Sequence, residues 1–162
     1  MAKAYAFITR WQVRAPLEEV WDLIYDSVQW PQWWKGVLAV SVIKAGDETG
    51  LGGVRKYTWK SVLPYRLEFD MELVVIDRYR YMKGVAAGEL DGIGEWYFEE
   101  KDGITYVQYN WNVFTRKAWM NACHFMLKPV FEFNHHQVMA WGAKGLARKL
   151  NAELLSCRSN AY

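Results

Sequence analysis

The chain has 162 residues, 52% of them hydrophobic, with 10 Trp, 10 Tyr and 7 Phe, 27 aromatic residues in all. That apolar load excludes a disordered chain, the 2 Cys exclude a disulfide mini-protein, and 4 Pro with 12 Gly exclude a collagenous or low-complexity one. The 20 Lys and Arg stand interspersed with 18 Asp and Glu for a net charge of +2, which leaves no extended nucleic-acid face.

No repeat or linker divides the sequence, so a single domain over residues 1–162 is expected. Met1 to Arg10 lacks the apolar core of a secretory signal, and no stretch approaches the roughly 18 apolar residues of a membrane span. A cytoplasmic protein without integral membrane contact is expected, with Cys123 and Cys157 as free thiols. Oligomeric state is not legible from the sequence.

In chain order, Tyr5, Phe7, Trp11 and Val13 share one face of a strand over residues 5–14. Pro16 suits a first helical position, Glu18 and Glu19 suit the positive end of a helix dipole, and Leu17, Val20, Trp21 and Ile24 form a helical stripe. A second short helix is expected between Asp26 and Trp34, with Pro31 near its start and Gly36 as its stop. Its Trp30, Trp33 and Trp34 are expected near the mouth of any cavity, packed under the loop or serving as an entrance or a transient membrane-surface contact, with packing favoured. Val37 to Lys44 reads as a strand and the four Gly between Gly46 and Gly53 as a loop. Val54 to Val62 alternates, with Arg55, Tyr57 and Trp59 on one side. Tyr65 to Val75 puts Tyr65, Leu67, Phe69, Met71, Leu73 and Val75 on its apolar face.

Tyr79 to Leu90, Ile93 to Glu100 and Ile104 to Thr115 read as three further strands, with Asp91-Gly92 and Asp102-Gly103 as hairpin turns. Trp96 and Phe98 face one way on the second of these, and Val107, Tyr109, Trp111 and Val113 one way on the third. Lys117 to Leu127 is a short helix or irregular segment, and Pro129 permits a fresh helical start. From Val130 to about Leu155 a helix is expected, about 39 Å long, with Phe131, His135, Val138, Met139, Gly142 and Leu146 on its inner stripe. The fold class is therefore α+β: a seven-stranded curved antiparallel sheet around a long C-terminal helix, with two short helices after the first strand. A twisted sheet cannot close on one helix everywhere, and the gap between them is a place for an apolar ligand.

Several strings carry a resemblance. Ala15-Pro16-Leu17-Glu18-Glu19-Val20-Trp21, Leu63-Pro64-Tyr65-Arg66-Leu67, Gly88-Glu89-Leu90-Asp91-Gly92-Ile93-Gly94-Glu95-Trp96 and Asn134-His135 with Val138-Met139 and Gly145-Leu146 are similar to the START-like, or SRPBCC, helix-grip superfamily, in its polyketide cyclase/dehydrase and lipid-transport-like branch. The resemblance implies a helix-grip fold and a central cavity for a lipid-, polyketide- or quinone-like molecule. It implies cyclase or dehydratase activity in only some members, with no universal catalytic motif.

The residues themselves offer little chemistry. The three His are His124, His135 and His136, and adjacent helical residues point about 100° apart, so no metal site is expected. Gly50-Leu51-Gly52-Gly53 lacks the Lys and Ser/Thr of a phosphate loop, no GxSxG elbow exists, and no cofactor is expected. Arg55 shares strand parity with Tyr57 and Trp59. Facing inward, it would meet a ligand anion, or pair with a carboxylate such as Glu89. His135 on the inner stripe could act as acid or base near neutral pH or simply bond within the core. Arg55 and His135 are thus the catalytic candidates. Arg55, Tyr57, Trp59, Phe69, Met71, Trp96, Phe98, Tyr109, Trp111, His135 and Met139 are the expected ligand-binding set. Gly142 and Gly145 either let the helix touch the sheet or leave room for the ligand. The favoured function is binding of a hydrophobic or aromatic small molecule. A cyclase or dehydratase using the same cavity, and an interaction module without a ligand, are the alternatives.

Overall fold

The computed structural model describes residues 4–162. Strand β1 (Ala4–Arg14) leads into helix α1 (Leu17–Tyr25), a 3-10 turn (Ser27–Gln29) and the one-turn helix α2 (Trp30–Trp33). Strands β2 (Val37–Lys44), β3 (Val54–Lys60), β4 (Arg66–Asp77), β5 (Tyr81–Gly88), β6 (Leu90–Lys101) and β7 (Ile104–Thr115) follow. Helices α3 (Ala118–Ala122) and α4 (His124–Lys149) come next, and strand β8 (Glu153–Ala161) ends the chain. All neighbouring strands pair antiparallel, in the order β2-β3-β4-β5-β6-β7-β1-β8. The α+β class, the curved sheet and the long helix are as the sequence predicts, with eight strands rather than seven.

The eighth strand replaces the end of the expected helix. Helix α4 stops at Lys149 because Asn151 takes a left-handed φ of 49°. The Ala152 N–H donates to the Ala147 carbonyl at 2.8 Å and the Asn151 N–H to the Arg148 carbonyl at 3.1 Å, a Schellman stop. The released chain pairs with β1 as an edge strand. At its other end α4 begins earlier than expected. Pro129 lies inside it, in the second turn. The carbonyl that Pro129 cannot bond belongs to Phe125, a residue 93% exposed, where water can take the bond.

Two turn readings change. Asp102 and Gly103 adopt φ of 53° and 75°, the paired positive angles of a tight hairpin turn between β6 and β7. Asp91 and Gly92, by contrast, lie within β6, opposite Phe114 and Val113. The chain reverses at Gly88-Glu89 instead. Gly88 has φ 130°, and its N–H donates to Asp91 Oδ1 at 3.2 Å. Gly92 is needed for close approach: a Cβ there would lie 2.1 Å from the Asn112 carbonyl oxygen. The alternation in β4 also fails at its end. A register shift between Leu73 and Val75 turns Val75 to solvent and packs Ile76 against the core.

Parity otherwise holds. Tyr5, Phe7, Thr9, Trp11 and Val13 are all buried, as are Val20, Trp21 and Ile24 of α1. The sheet's inner face, α1, α2 and α4 enclose one core. Gly142 and Gly145 serve contact, though with α2 rather than the sheet. A Cβ on Gly142 would meet the Trp34 ring at 2.4 Å, and one on Gly145 the Trp33 carbonyl oxygen at 1.9 Å. The Trp34 Nε1–H donates to the Val138 carbonyl at 2.9 Å, fastening the same joint.

Candidate functional site

Where α4 diverges from the sheet, a cavity of about 160 Å³ remains. Its sheet wall is a row of rings. Trp96 stacks on Tyr109 at 4.1 Å between centroids, Tyr109 on Trp111 at 5.8 Å, and Phe69 leans on Trp111 at 5.7 Å. Trp30, Trp34 and Trp59 close one end, and Phe131, Asn134, His135, Val138 and Met139 of α4 form the opposite wall. Of the expected ligand-binding set, Trp59, Phe69, Trp96, Tyr109, Trp111, His135 and Met139 therefore converge on this cavity.

The other four do not. Arg55, Tyr57 and Met71 line a second, smaller pocket of about 60 Å³, and Trp30 and Trp96 stand between the two, lining both. Phe98 lines neither; it is buried against Trp21 at 4.9 Å. Strand parity put these side chains on the inner face, but position along the strand decides which space each reaches. Arg55 faces inward as expected and takes neutral partners rather than Glu89. It donates from one terminal nitrogen to the Tyr25 carbonyl at 3.2 Å and to Ser27 Oγ at 2.7 Å. Ser27 Oγ in turn lies 2.7 Å from the Tyr57 hydroxyl. Glu89 accepts from Lys117 Nζ at 2.7 Å and from the Glu68 N–H at the same distance.

His135 stacks on Phe7, 4.0 Å between centroids and 16° from parallel. Desolvation, helped by neighbouring His136, pushes its pKa down to about 3. The ring is neutral near pH 7, which corrects the expectation of an acid–base group titrating there. Burial pushes the other ionisable groups of the wall the opposite way: Tyr65 up to about 12, Tyr109 well above 10, and Tyr5 upward. All of these side chains are therefore uncharged at physiological pH. Asn134 Oδ1, His135 Nε2 and Trp59 Nε1 are buried without a hydrogen-bond partner.

Trp30, Trp33 and Trp34 take the packed alternative and form no exposed mouth. They are 7%, 7% and 1% exposed, because α2 is pressed between α4 and the sheet. Apolar side chains instead meet solvent on α3 and the start of α4, at Trp119, Phe125, Met126 and Phe133. Trp119 packs on Tyr65 and Phe131, both of the cavity wall.

The ring-based reading missed the contribution of β1. Tyr5 and Phe7 line the cavity, and their alternation with Trp11 and Val13 was the available signal. It also left out Asn134, which stood only in a resemblance string; the cavity spans enough of α4 to touch both Asn134 and His135. Among the described residues, no three His, Cys, Asp or Glu side chains converge in a way that could hold a metal ion. Cys123 and Cys157 are free thiols.

A family model described as polyketide cyclase/dehydrase and lipid transport matches residues 6–156. No curated protein matches the chain by sequence. Among solved structures, the Zhui aromatase/cyclase of Streptomyces sp. R1128 superposes with a TM-score of 0.71 at 16% identity, covering 92% of this chain and 94% of its own. A START superfamily protein of Mycobacterium smegmatis gives 0.72 at 10% identity, with coverage of 91% and 97%. Norcoclaurine synthase of Thalictrum flavum, a point mutant in complex with a transition state analogue, gives 0.61 at 11% identity, with 93% and 96% covered. At these identities the likeness is one of fold.

Proposed function

The chain belongs to the polyketide cyclase/dehydrase and lipid-transport family, and from that premise we propose that it binds a hydrophobic, ring-containing small molecule in the cavity between sheet and α4. One observation carries the reading. Aromatic side chains from α2, β3, β4, β6 and β7 surround a void that the helix opposite does not fill, the larger of the two described spaces. At about 160 Å³ the void is close to the roughly 150 Å³ cavity that accepts benzene, so it suits one or two rings rather than an extended chain. Trp59, Phe69, Trp96, Tyr109, Trp111, His135 and Met139 are the proposed contact residues.

The cavity rings are the reporters for the test. Titration of a panel of small polyphenols, quinones and short acyl aromatics should quench the Trp fluorescence saturably, and native mass spectrometry should show one ligand per chain. Leu67→Phe, which adds bulk at the wall, should abolish the effect while leaving the melting curve near that of the parent. Saturable quenching that Leu67→Phe leaves unchanged would place the ligand elsewhere and overturn the reading.

A second reading, a cyclase- or dehydratase-type enzyme, draws on the family description and on the aromatase/cyclase among the structural neighbours. In this chain it would rest on Arg55 as an oxyanion partner or on His135 as a neutral hydrogen-bonding group. Turnover of a poly-β-ketone substrate that survives both Arg55→Ala and His135→Ala removes those assignments.

A further inference from the structure

Resting on the ligand-binding reading above, we infer that the cavity selects uncharged ligands bearing hydroxyl or carbonyl groups, and rejects the same ring skeleton when it carries a carboxylate or phosphate. The composition of the wall is the first ground. Among the described residues that line it there is no Asp, Glu, Lys or Arg. Its polar members are Ser61, Thr115, Asn134, His135 and tyrosines, and the histidine and tyrosines stay neutral for the reasons of burial given above. An ionised group brought into such a space loses hydration and finds no counter-charge on the wall, and both effects disfavour it relative to a neutral group on the same skeleton.

Charged groups in the neighbouring structure are committed to other partners. Arg55 lies on the far side of Trp30 and Trp96, in the other pocket, and is tied to the Tyr25 carbonyl and Ser27. Lys117 stands over the outer Tyr65 ring, its Nζ 5.3 Å from the centroid, but Glu89 neutralises it at 2.7 Å. Lys128 and Glu132, on α4 near the wall, pair with each other at 3.6 Å.

The second ground is what the wall lacks. Asn134 Oδ1 and His135 Nε2, on consecutive residues of α4, are buried without partners, an arrangement that costs free energy until something bonds them. A neutral hydroxyl on the occupant donates to the amide oxygen, and the imidazole nitrogen gives or accepts a bond according to its tautomer. Neither atom asks for a charge.

The test is a matched series at pH 7.5 by isothermal titration and Trp quenching: 2-naphthol, 2-naphthoate and methyl 2-naphthoate. The inference expects 2-naphthol to bind at least about tenfold more tightly than 2-naphthoate, with the methyl ester regaining most of the difference. Asn134→Lys, which places a cation in the wall, should narrow or invert the preference. Equal or tighter binding of 2-naphthoate by the parent protein overturns the inference and leaves the ligand-binding reading standing. If neither neutral compound binds at millimolar concentration, nor any other member of the neutral panel, the ligand-binding reading fails and this inference falls with it.

Discussion

Replacing Gly145 by Ala should destabilise the protein even though alanine is the better helix former. The residue lies four positions from the end of α4, where the exchange in isolation is worth about 1 kcal/mol in favour of Ala. Packing opposes it. The added Cβ would lie 1.9 Å from the Trp33 carbonyl oxygen and 2.9 Å from its carbon, whereas real Cβ atoms essentially never approach within 3.0 Å. The obstacle is backbone, so no side-chain rotation relieves it, and α2 must move about 1 Å from α4. Overpacking of this kind costs about 1–3 kcal/mol, and an immovable carbonyl belongs at the upper end. The net loss is then about 1–2 kcal/mol, or a fall in Tm of roughly 2–8 °C for a chain of this size. Because α2 also carries Trp30, and Trp34 follows directly, the shift opens one end of the cavity and should weaken ligand binding. Urea unfolding followed by circular dichroism, with Lys144→Ala on the exposed side of the helix as control, reads the stability. A Gly145→Ala protein as stable as the parent, or more so, refutes the claim that this glycine exists for the α2–α4 joint.

Three further outcomes are expected. His135 takes up a proton near pH 3 when folded and near 6.5 when unfolded, so between those values the unfolded chain binds more protons. Its contribution to stability is complete above pH 6.5 and is lost as pH falls through that window, with a slope of at most about 1.4 kcal/mol per pH unit; His136, lowered in the same direction, adds to it. His135→Phe, which keeps a ring against Phe7, should flatten urea midpoints between pH 6.5 and 5, and an unchanged slope sinks the assignment. Arg55→Met should cost about 1–3 kcal/mol by releasing Ser27 and the end of α1, with Arg55→Lys failing to restore the two-oxygen contact; thermal melts of both decide this. Asn151→Val should cost about 1–2 kcal/mol because a β-branched residue resists the left-handed conformation, while Asn151→Gly should be tolerated. If Val and Gly melt alike, the Schellman stop is not what ends the helix.

Asn151 also shows where the fold was legible and where it was not. The repeat of two in β1, β3, β7 and β4 up to Leu73 survives in the structure because one face of each strand is buried and the other is wetter, so the sequence had to alternate. β8 has no such rhythm. In Leu154, Leu155, Ser156, Cys157 and Arg158 the apolar residues run together, most of the side chains are half-buried, and the helical pattern before them continues without a proline. The stop was written in a single residue, an Asn tolerant of positive φ, which is a weaker mark than Gly. Asp91-Gly92 was the converse error. The dipeptide resembles a hairpin turn, but its glycine serves close strand packing and its aspartate caps the reversal before it. A local string cannot distinguish a glycine that turns from one that lets a neighbour approach.

The candidate site was legible only to the same depth, because parity sorts faces and not places along a face. Tyr57 and Trp59 are two residues apart on one inner face, yet the first lines the small pocket with Arg55 and the second the large cavity. They differ also in how their polar tips are satisfied. Tyr57 meets Ser27, Trp30 donates to the Leu23 and Ile24 carbonyls, and Trp34 donates to Val138. These rings are anchored by bonds that tie β3 to the 3-10 turn and α2 to α1 and α4, and removing them should cost stability first. Trp59 Nε1 has no such bond, nor have Asn134 Oδ1 and His135 Nε2. A buried donor or acceptor left unpaired is tolerated when the surrounding structure is built for something else. Trp11 Nε1 and Trp33 Nε1 are likewise unpaired inside the packed core, so an unmet tip alone does not mark the cavity. Trp59, Asn134 and His135 differ in that all three also line the void, and the functional reading rests on the two observations together.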